Sequence, residues 1–186
     1  MSGLALDHVA VVARTLEEGA AHVARQLGVV PGDGGRHPQM GTWNRLLSLG
    51  PDLYLEVIAV DPEAPAPPHR RWFGLDGFDG PPRLAFVLRD PGLVHARRHQ
   101  IHALTRDDLR WTIAVPDEGW MQPALIDWGV TRSPASRLPD HGLRLLRLTL
   151  PALPDLPPIA DPRIERDARA SRIGAQFASA DGTRSL

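Results

Sequence analysis

Residues 4–28 read LALDHVAVVARTLEEGAAHVARQLG, and they decide the fold. Over 4–13, small and β-branched apolar residues surround Asp7 and His8. Such a run is a mostly buried strand, with His8 on the face shared by Leu6 and Ala10. Thr15 and Glu18 have capping-box spacing, and Leu16, Ala20, Val23 and Leu27 recur at helical intervals up to Gly28, a natural left-handed stop. Val29 and Val30 form a short strand, 31–44 is a glycine-rich loop, and 45–49 is extended again. Gly50, Pro51 and Asp52 turn the chain into 53–60, where Leu55, Val57 and Ala59 face one way and Tyr54, Glu56 and Ile58 the other. The first unit is strand, helix, then three strands.

Four prolines within 61–68 (DPEAPAPP) preclude a central strand or helix there. The pattern then restarts, with a strand over 83–89, a helix over 91–101 opened by Pro91, and strands over 109–115, 124–128 and 143–150. This repetition predicts an α+β fold of paired βαβββ modules, 1–61 and 83–150, joined by the proline-rich connector 62–82. Curved mixed sheets enclose a concave site, with the helices outside. Residues 151–186 hold a second proline connector and a short C-terminal strand and hairpin extension, extended over 163–166 and turning at Asp181-Gly182.

At 186 residues the chain supports about one structural domain. With 22 acidic and 21 basic residues the net charge is −1, which offers no field to nucleic acid or an anionic membrane. Cysteine is absent, which excludes disulfides, thiolate metal sites and cysteine nucleophiles. All 21 basic residues are arginine, so lysine Schiff-base chemistry is excluded as well. The first residues lack a basic leader and Asp7 and His8 break their apolar run, reading as neither signal peptide nor membrane span, so a cytoplasmic protein is expected.

His8 and Glu56 each interrupt an apolar strand, and the first and last strands of such a module both line the concavity. They suit a divalent ion (Zn, Mn, Fe or Ni), a base and its orienting partner, or simple buried hydrogen bonding. The stretch 35–44 (GRHPQMGTWN) adds Arg36 as an anion clamp, His37 as ligand or proton carrier, Met40 and Trp43 as apolar wall, and Asn44 as a polar contact or turn residue. In 119–129 (GWMQPALIDWG), Asp127 is a site group or a strand-end cap, and Trp120 and Trp128 form a wall or core. His95, His99 and His102 are spaced to share a face of the second helix, but Arg97 and Arg98 mark that face as solvated. Ser133 and Ser136 lack a Gly-x-Ser-x-Gly context, and no phosphate-loop or dinucleotide fingerprint occurs.

The segments LDHVAVV (6–12), GRHPQMGTWNRLLSLG (35–50), YLEVIAVDP (54–62) and LIDWG (125–129) together resemble the glyoxalase-like domain group of the vicinal-oxygen-chelate superfamily, over about residues 4–150. That resemblance implies a small metabolite held between two modules. It also implies one of several chemistries: lyase or isomerase, dioxygenase, or metal-free sequestration of the drug-resistance type. In metal-dependent members each module gives one ligand from its first strand and one from its last. His8 and Glu56 match; RLAFVLR offers only Leu84 or Phe86, and LRLLRLTL places Arg147 near the acidic position. A metal therefore needs His37, Gln122, Asp127 or His141 to complete its shell, while Arg45 or Arg147 could instead close Glu56 into an ion pair. Three readings stay open: an enzyme with Glu56 as base, His8 as partner and Arg36 as clamp; a binding protein using Trp43, Trp120 and Trp128; and a non-catalytic paralogue with a filled concavity. Relatives pair subunits, and open sheet edges make a homodimer the expectation.

Overall fold

The computed structural model describes residues 3–153 and 155–186. All but the first residue of β1 (Ala5–Val12) are buried, so this strand sits mid-sheet. It pairs in parallel with β4 (Tyr54–Val60) and antiparallel with β5 (Arg83–Arg89). Helix α1 (Leu16–Leu27) starts where Thr15 Oγ1 accepts from the Glu18 amide at 3.1 Å, and ends on Gly28 at φ 76°. Its buried stripe of Leu16, Gly19, Ala20, Val23 and Leu27 lies on the convex face of the sheet.

The first module is completed by β2 (Gly32–His37), β3 (Thr42–Ser48) and β4. The short strand expected at Val29-Val30 is instead the glycine-rich stretch that follows. Glycine suits it because the backbones crowd: a Cβ on Gly34 would sit 2.3 Å from the Asn44 carbonyl oxygen. The alternation of β4 is as expected, with Leu55, Val57 and Ala59 in the convex core and Ile58 in the concave one.

In the second module β5 is followed by β6 (His99–Arg106), β7 (Leu109–Pro116) and β8 (Ala124–Asp127). The helix expected over 91–101 is absent. Pro91–Leu93 makes one 3-10 turn, Gly92, Leu93 and Arg98 have positive φ, and the Asp90 carboxylate caps the His95 amide at 2.8 Å. The segment carries too few apolar residues at helical spacing to hold a stripe against the sheet. His99 and His102 therefore stand on a strand, and the three histidines share no helix face. Strand β9 (Arg144–Leu150) also departs from expectation. It does not close the second module but belongs to a separate sheet ordered β10 (Ile164–Arg166), β9, β11 (Gly174–Ser179), β12 (Gly182–Ser185). The C-terminal hairpin is present as read from the sequence.

The small sheet takes the place of the missing helix. Leu143, Leu145, Leu148, Leu150, Ile173, Ala175 and Phe177 share one core with Leu84, Phe86, Leu88 and Leu125 of the second module. The main sheet runs β2-β3-β4-β1-β5-β8-β7-β6 and curls until its edge strands β2 and β6 meet. Inside the curl lies a second core of Ala10, Val12, Ile58, Val87, Ile113 and Ile126. The proline-rich connector contributes to it through a 3-10 turn, Trp72–Gly74, which buries Trp72 and Phe73. Among the described residues no helix is long and apolar enough to cross a membrane.

A Cβ on Gly19 would lie 2.5 Å from Val57 Cγ1 and 2.9 Å from Ala13 Cβ, so α1 sits directly on the sheet. Gly-to-Ala in a helix ordinarily gains about 1 kcal/mol. Here we expect Gly19→Ala to lose about 1–3 kcal/mol in urea unfolding, because overpacking outweighs propensity; a stabilised variant would show that the helix is free to lift.

Candidate active site

The site begins with an irregularity in β1. Leu6 pairs with Leu88 and His8 with Val87, so Asp7 is an extra residue bulged from the ladder. Leu6 turns to the convex core, not to His8's face, and Asp7 and His8 both serve the concave side. Asp7 Oδ1 lies 2.8 Å from His8 Nδ1, while Oδ2 accepts from Arg89 at 2.8 Å and from the Trp128 indole at 3.0 Å. His8 Nε2 faces Glu56 Oε2 at 3.4 Å, and Tyr54 stacks on the imidazole at 4.5 Å between centroids.

Asn44 on β3 donates to Glu56 Oε1 at 2.6 Å. Its Oδ1 accepts from the Gly35 amide at 2.8 Å and from Arg106 Nη1 at 3.1 Å. The same Nη1 lies 3.0 Å from His37 Nε2. A guanidinium only donates, so His37 Nε2 is the acceptor and Nδ1 carries the proton, facing Thr42 Oγ1 at 3.3 Å. These groups surround a cavity of about 30 Å³ between the modules. One side is polar (His8, His37, Asn44, Glu56, Arg106), and the other is walled by Trp72, Phe73, Trp111, Ile126 and Trp128.

The buried charges tune one another. Burial opposes ionisation of His8, yet its bonds to Asp7 and Glu56 outweigh that and raise its pKa to about 9. Asp7 and Glu56 are likewise held ionised against burial by that imidazolium. His37 goes the other way, driven down to about 4 by burial with the Arg106 charge adding to it. At neutral pH the cavity thus holds an imidazolium, a neutral imidazole and a carboxylate side by side.

His8, His37, Asn44, Glu56 and Trp128 are brought together as candidate site residues. Five others are not. Arg36 lies on the opposite face of β2, paired with Asp61 at 2.6 Å and Glu63 at 2.8 Å and stacked over Trp43. Trp43 packs against the convex core. Met40 is fully buried, its sulfur 3.2 Å from His69 Nε2. Trp120 stacks under Arg83 at 3.7 Å in a separate surface pocket. Asp127 is a strand-end cap, accepting from the Gly92 and Gly129 amides at 2.9 and 2.8 Å. Sequence reasoning missed Asp7, Tyr54, Trp72, Trp111 and Arg106. Only Asp7 carried a signal, as a charged residue inside a buried strand.

A family model described as a glyoxalase-like domain matches residues 6–155. The chain belongs to this family. Its glyoxalase-like domain overlaps methylmalonyl-CoA epimerase of Streptomyces coelicolor at 14% identity, covering 72% of this chain and 100% of that one with a TM-score of 0.46. The Mycobacterium tuberculosis methylmalonyl-CoA epimerase gives 18% identity, 66% and 86% coverage and a TM-score of 0.44. A hypothetical protein of Bacillus halodurans gives 11%, 67%, 93% and 0.45. No functionally curated protein matches the chain. None of these overlaps assigns a chemistry to it.

The donor set of this glyoxalase-like domain does not fit a divalent ion. Val87 is the cross-strand partner of His8, and Ile126 lies two residues beyond Val87's partner Ala124, just as Glu56 lies two beyond His8's partner Tyr54. The second module's matching positions are therefore Val87 and Ile126, both apolar, and not Leu84, Phe86 or Arg147. Arg147 pairs with Glu165 on the outer sheet, and Glu56 binds His8 and Asn44 rather than Arg45 or Arg147. Of the residues expected to complete a shell, His37 is held by Arg106, Asp127 caps two amides, Gln122 lines a different groove and His141 is exposed. Among the described residues no three His, Asp or Glu side chains are arranged to hold a metal.

The two histidines bend stability in opposite directions with pH. His8 stabilises fully below about pH 6.5 and loses that contribution as pH rises through about 9. His37 binds fewer protons folded than unfolded between about 4 and 6.5, so stability rises over that range. The groups facing them are Asp7, Glu56, Tyr54, Arg89 and Arg106. We expect the urea midpoint to peak near pH 6.5, with His8→Gln flattening the alkaline limb and His37→Gln the acid limb. A midpoint that keeps rising to pH 9 would contradict the His8 assignment, and one that falls steadily from pH 4 would contradict that of His37.

Proposed function

We propose that this domain binds a small polar metabolite between its two modules and catalyses proton transfer on it, with Glu56 as base and His8 as hydrogen-bond donor. The carrying observation is the buried chain Asp7, His8, Glu56 opening on a cavity lined from both modules. Neighbouring titratable groups whose environments drive their pKa values apart are the mark of an acid and base assignment.

The 3.4 Å between His8 Nε2 and Glu56 Oε2 is long for a charge-assisted bond. A carbonyl oxygen inserted there accepts from His8 and removes a donor from Glu56, which keeps only Asn44 and becomes more basic. Glu56 then takes a proton from the carbon beside the carbonyl. The C–H electron pair moves onto the oxygen, where the His8 N–H stabilises the enolate, and the return of a proton from Glu56 to carbon completes the turnover. Asp7 positions the imidazole and balances its charge, as the acid does in a Ser-His-Asp triad. The aromatic wall keeps the exchange dry.

A cavity of about 30 Å³ has room for about two water-sized groups. Pro134 also lines it, next to Ala135, which packs in a small cluster with Leu46 and Tyr54. Proton NMR in D₂O tests the reading directly, following loss of C–H signal from pyruvate and hydroxyacetone. We expect protein-dependent exchange that Glu56→Gln slows by about 10²–10⁴-fold. Unchanged exchange in the variant removes Glu56 as the base, and no exchange with the wild type while tryptophan fluorescence reports binding favours the sequestering reading carried by the aromatic wall.

A further inference from the structure

We propose that the occupant of this cavity is a small monocarboxylate, and that Arg106 is its specificity-determining anchor. The inference rests on the proton-transfer reading for its location and deepens it by naming the class of substrate.

Arg106 comes from β6, the far edge of the second module, and reaches across to β2 and β3 of the first. Its hydrogen-bond partners among the described residues, His37 Nε2 and Asn44 Oδ1, are both neutral acceptors, and both are served by Nη1 alone. Arg36, Arg71, Arg89, Arg144 and Arg163 each bond a carboxylate. Arg106 has none among the described residues. Within the site the other charges cancel: Arg89 against Asp7, and the His8 imidazolium against Glu56. One positive charge is left over beside a low-dielectric wall, where an anion is strongly favoured.

Two further observations point the same way. Gly35 makes the placement possible: a Cβ there would lie 2.8 Å from Arg106 Cδ and 3.1 Å from Nη1, so β2 leaves a bare stretch of backbone for the side chain to cross. Trp72, in the cavity wall and 3% exposed, has a buried Nε1–H with no partner. An unmade bond at a buried donor costs free energy that a ligand oxygen would recover. The guanidinium fork matches the two oxygens of a carboxylate, and the Trp72 indole in the same wall is a further donor still to be satisfied. Asn44 joins this anchor to the base, since its amide accepts from Arg106 on one side and donates to Glu56 on the other.

The test titrates the full chain with sodium acetate, acetamide and sodium chloride, following the fluorescence of the cavity tryptophans. Acetate should bind, acetamide and chloride much more weakly, and Arg106→Gln should lower acetate affinity about 100-fold. Trp72→Phe should lower it about tenfold or more. If Arg106→Gln does not fold, Gly35→Ala decides, because it displaces the guanidinium without removing its charge; a drop of about tenfold supports the proposal and unchanged affinity overturns it. Acetamide or chloride matching acetate, acetate affinity independent of Arg106, or no acetate binding each overturns it. Exchange of hydroxyacetone protons without acetate binding sinks the carboxylate site but keeps the proton transfer. Arg106-dependent acetate binding without exchange of any probe does the reverse.

Discussion

Two carboxylates share one buried imidazolium, and the rest of the site is arranged around that constraint. Asp7, His8 and Glu56 are almost wholly removed from water. Each alone would be too costly to bury charged, and each is charged because of the others. Removing one leaves a neighbour buried without its partner, which is far more damaging than the net worth of the contact. The bulge at Asp7 is what allows the arrangement. A regular strand would send Asp7 to the convex core and leave His8 with Glu56 alone.

The pseudo-duplication is broken at the cavity between the modules. The first module supplies His8, His37, Asn44, Tyr54 and Glu56, while the second supplies Val87, Ile126, Trp111 and Trp128 at the matching side and the connector adds Trp72 and Phe73. One half is mainly polar and the other mainly apolar. The second module's polar contributions are Arg89, which pairs with Asp7, and Arg106, which the curl of the sheet brings from the opposite edge. Neither module holds the site alone. Outside, the same asymmetry appears in α1 covering one half and a four-stranded sheet covering the other.

Much of this was legible in the residues. The 3.6-residue spacing of α1, the two-residue alternation of 54–60 and the interrupting His8 and Glu56 each map onto a simple periodicity, and periodicity survives folding. What failed was read from composition or from short-range spacing. The stretch 32–37 is a strand because its glycines let backbones crowd, a reason that looks like loop composition in one dimension. The histidines at 95, 99 and 102 mimic a helix face, but their segment lacks the apolar stripe a helix needs. Arg36 was the natural anion clamp by position in its loop. Strand alternation sends it outward beside His37, and the unpaired arginine of the cavity lies sixty-nine residues beyond His37, at the other edge of the sheet. No local pattern marks such a residue, because its role comes from closure of the sheet.

The family implies metal chemistry in some members, and the donor set argues for another solution here. A divalent ion between two modules gathers ligands from both and supplies a fixed positive charge at the substrate oxygen. In this chain that charge is available without an ion. His8 is held protonated by its two carboxylates, and Arg106 adds a guanidinium from the other module. An imidazolium donates along one direction and a guanidinium through a fork, so the pair is more selective for ligand shape than an ion would be. Arg106 is also tied to Glu56 through Asn44. The apolar Val87 and Ile126 then have a reason beyond loss of ligands. They lower the dielectric around His8 and Arg106, which strengthens the electrostatics of both.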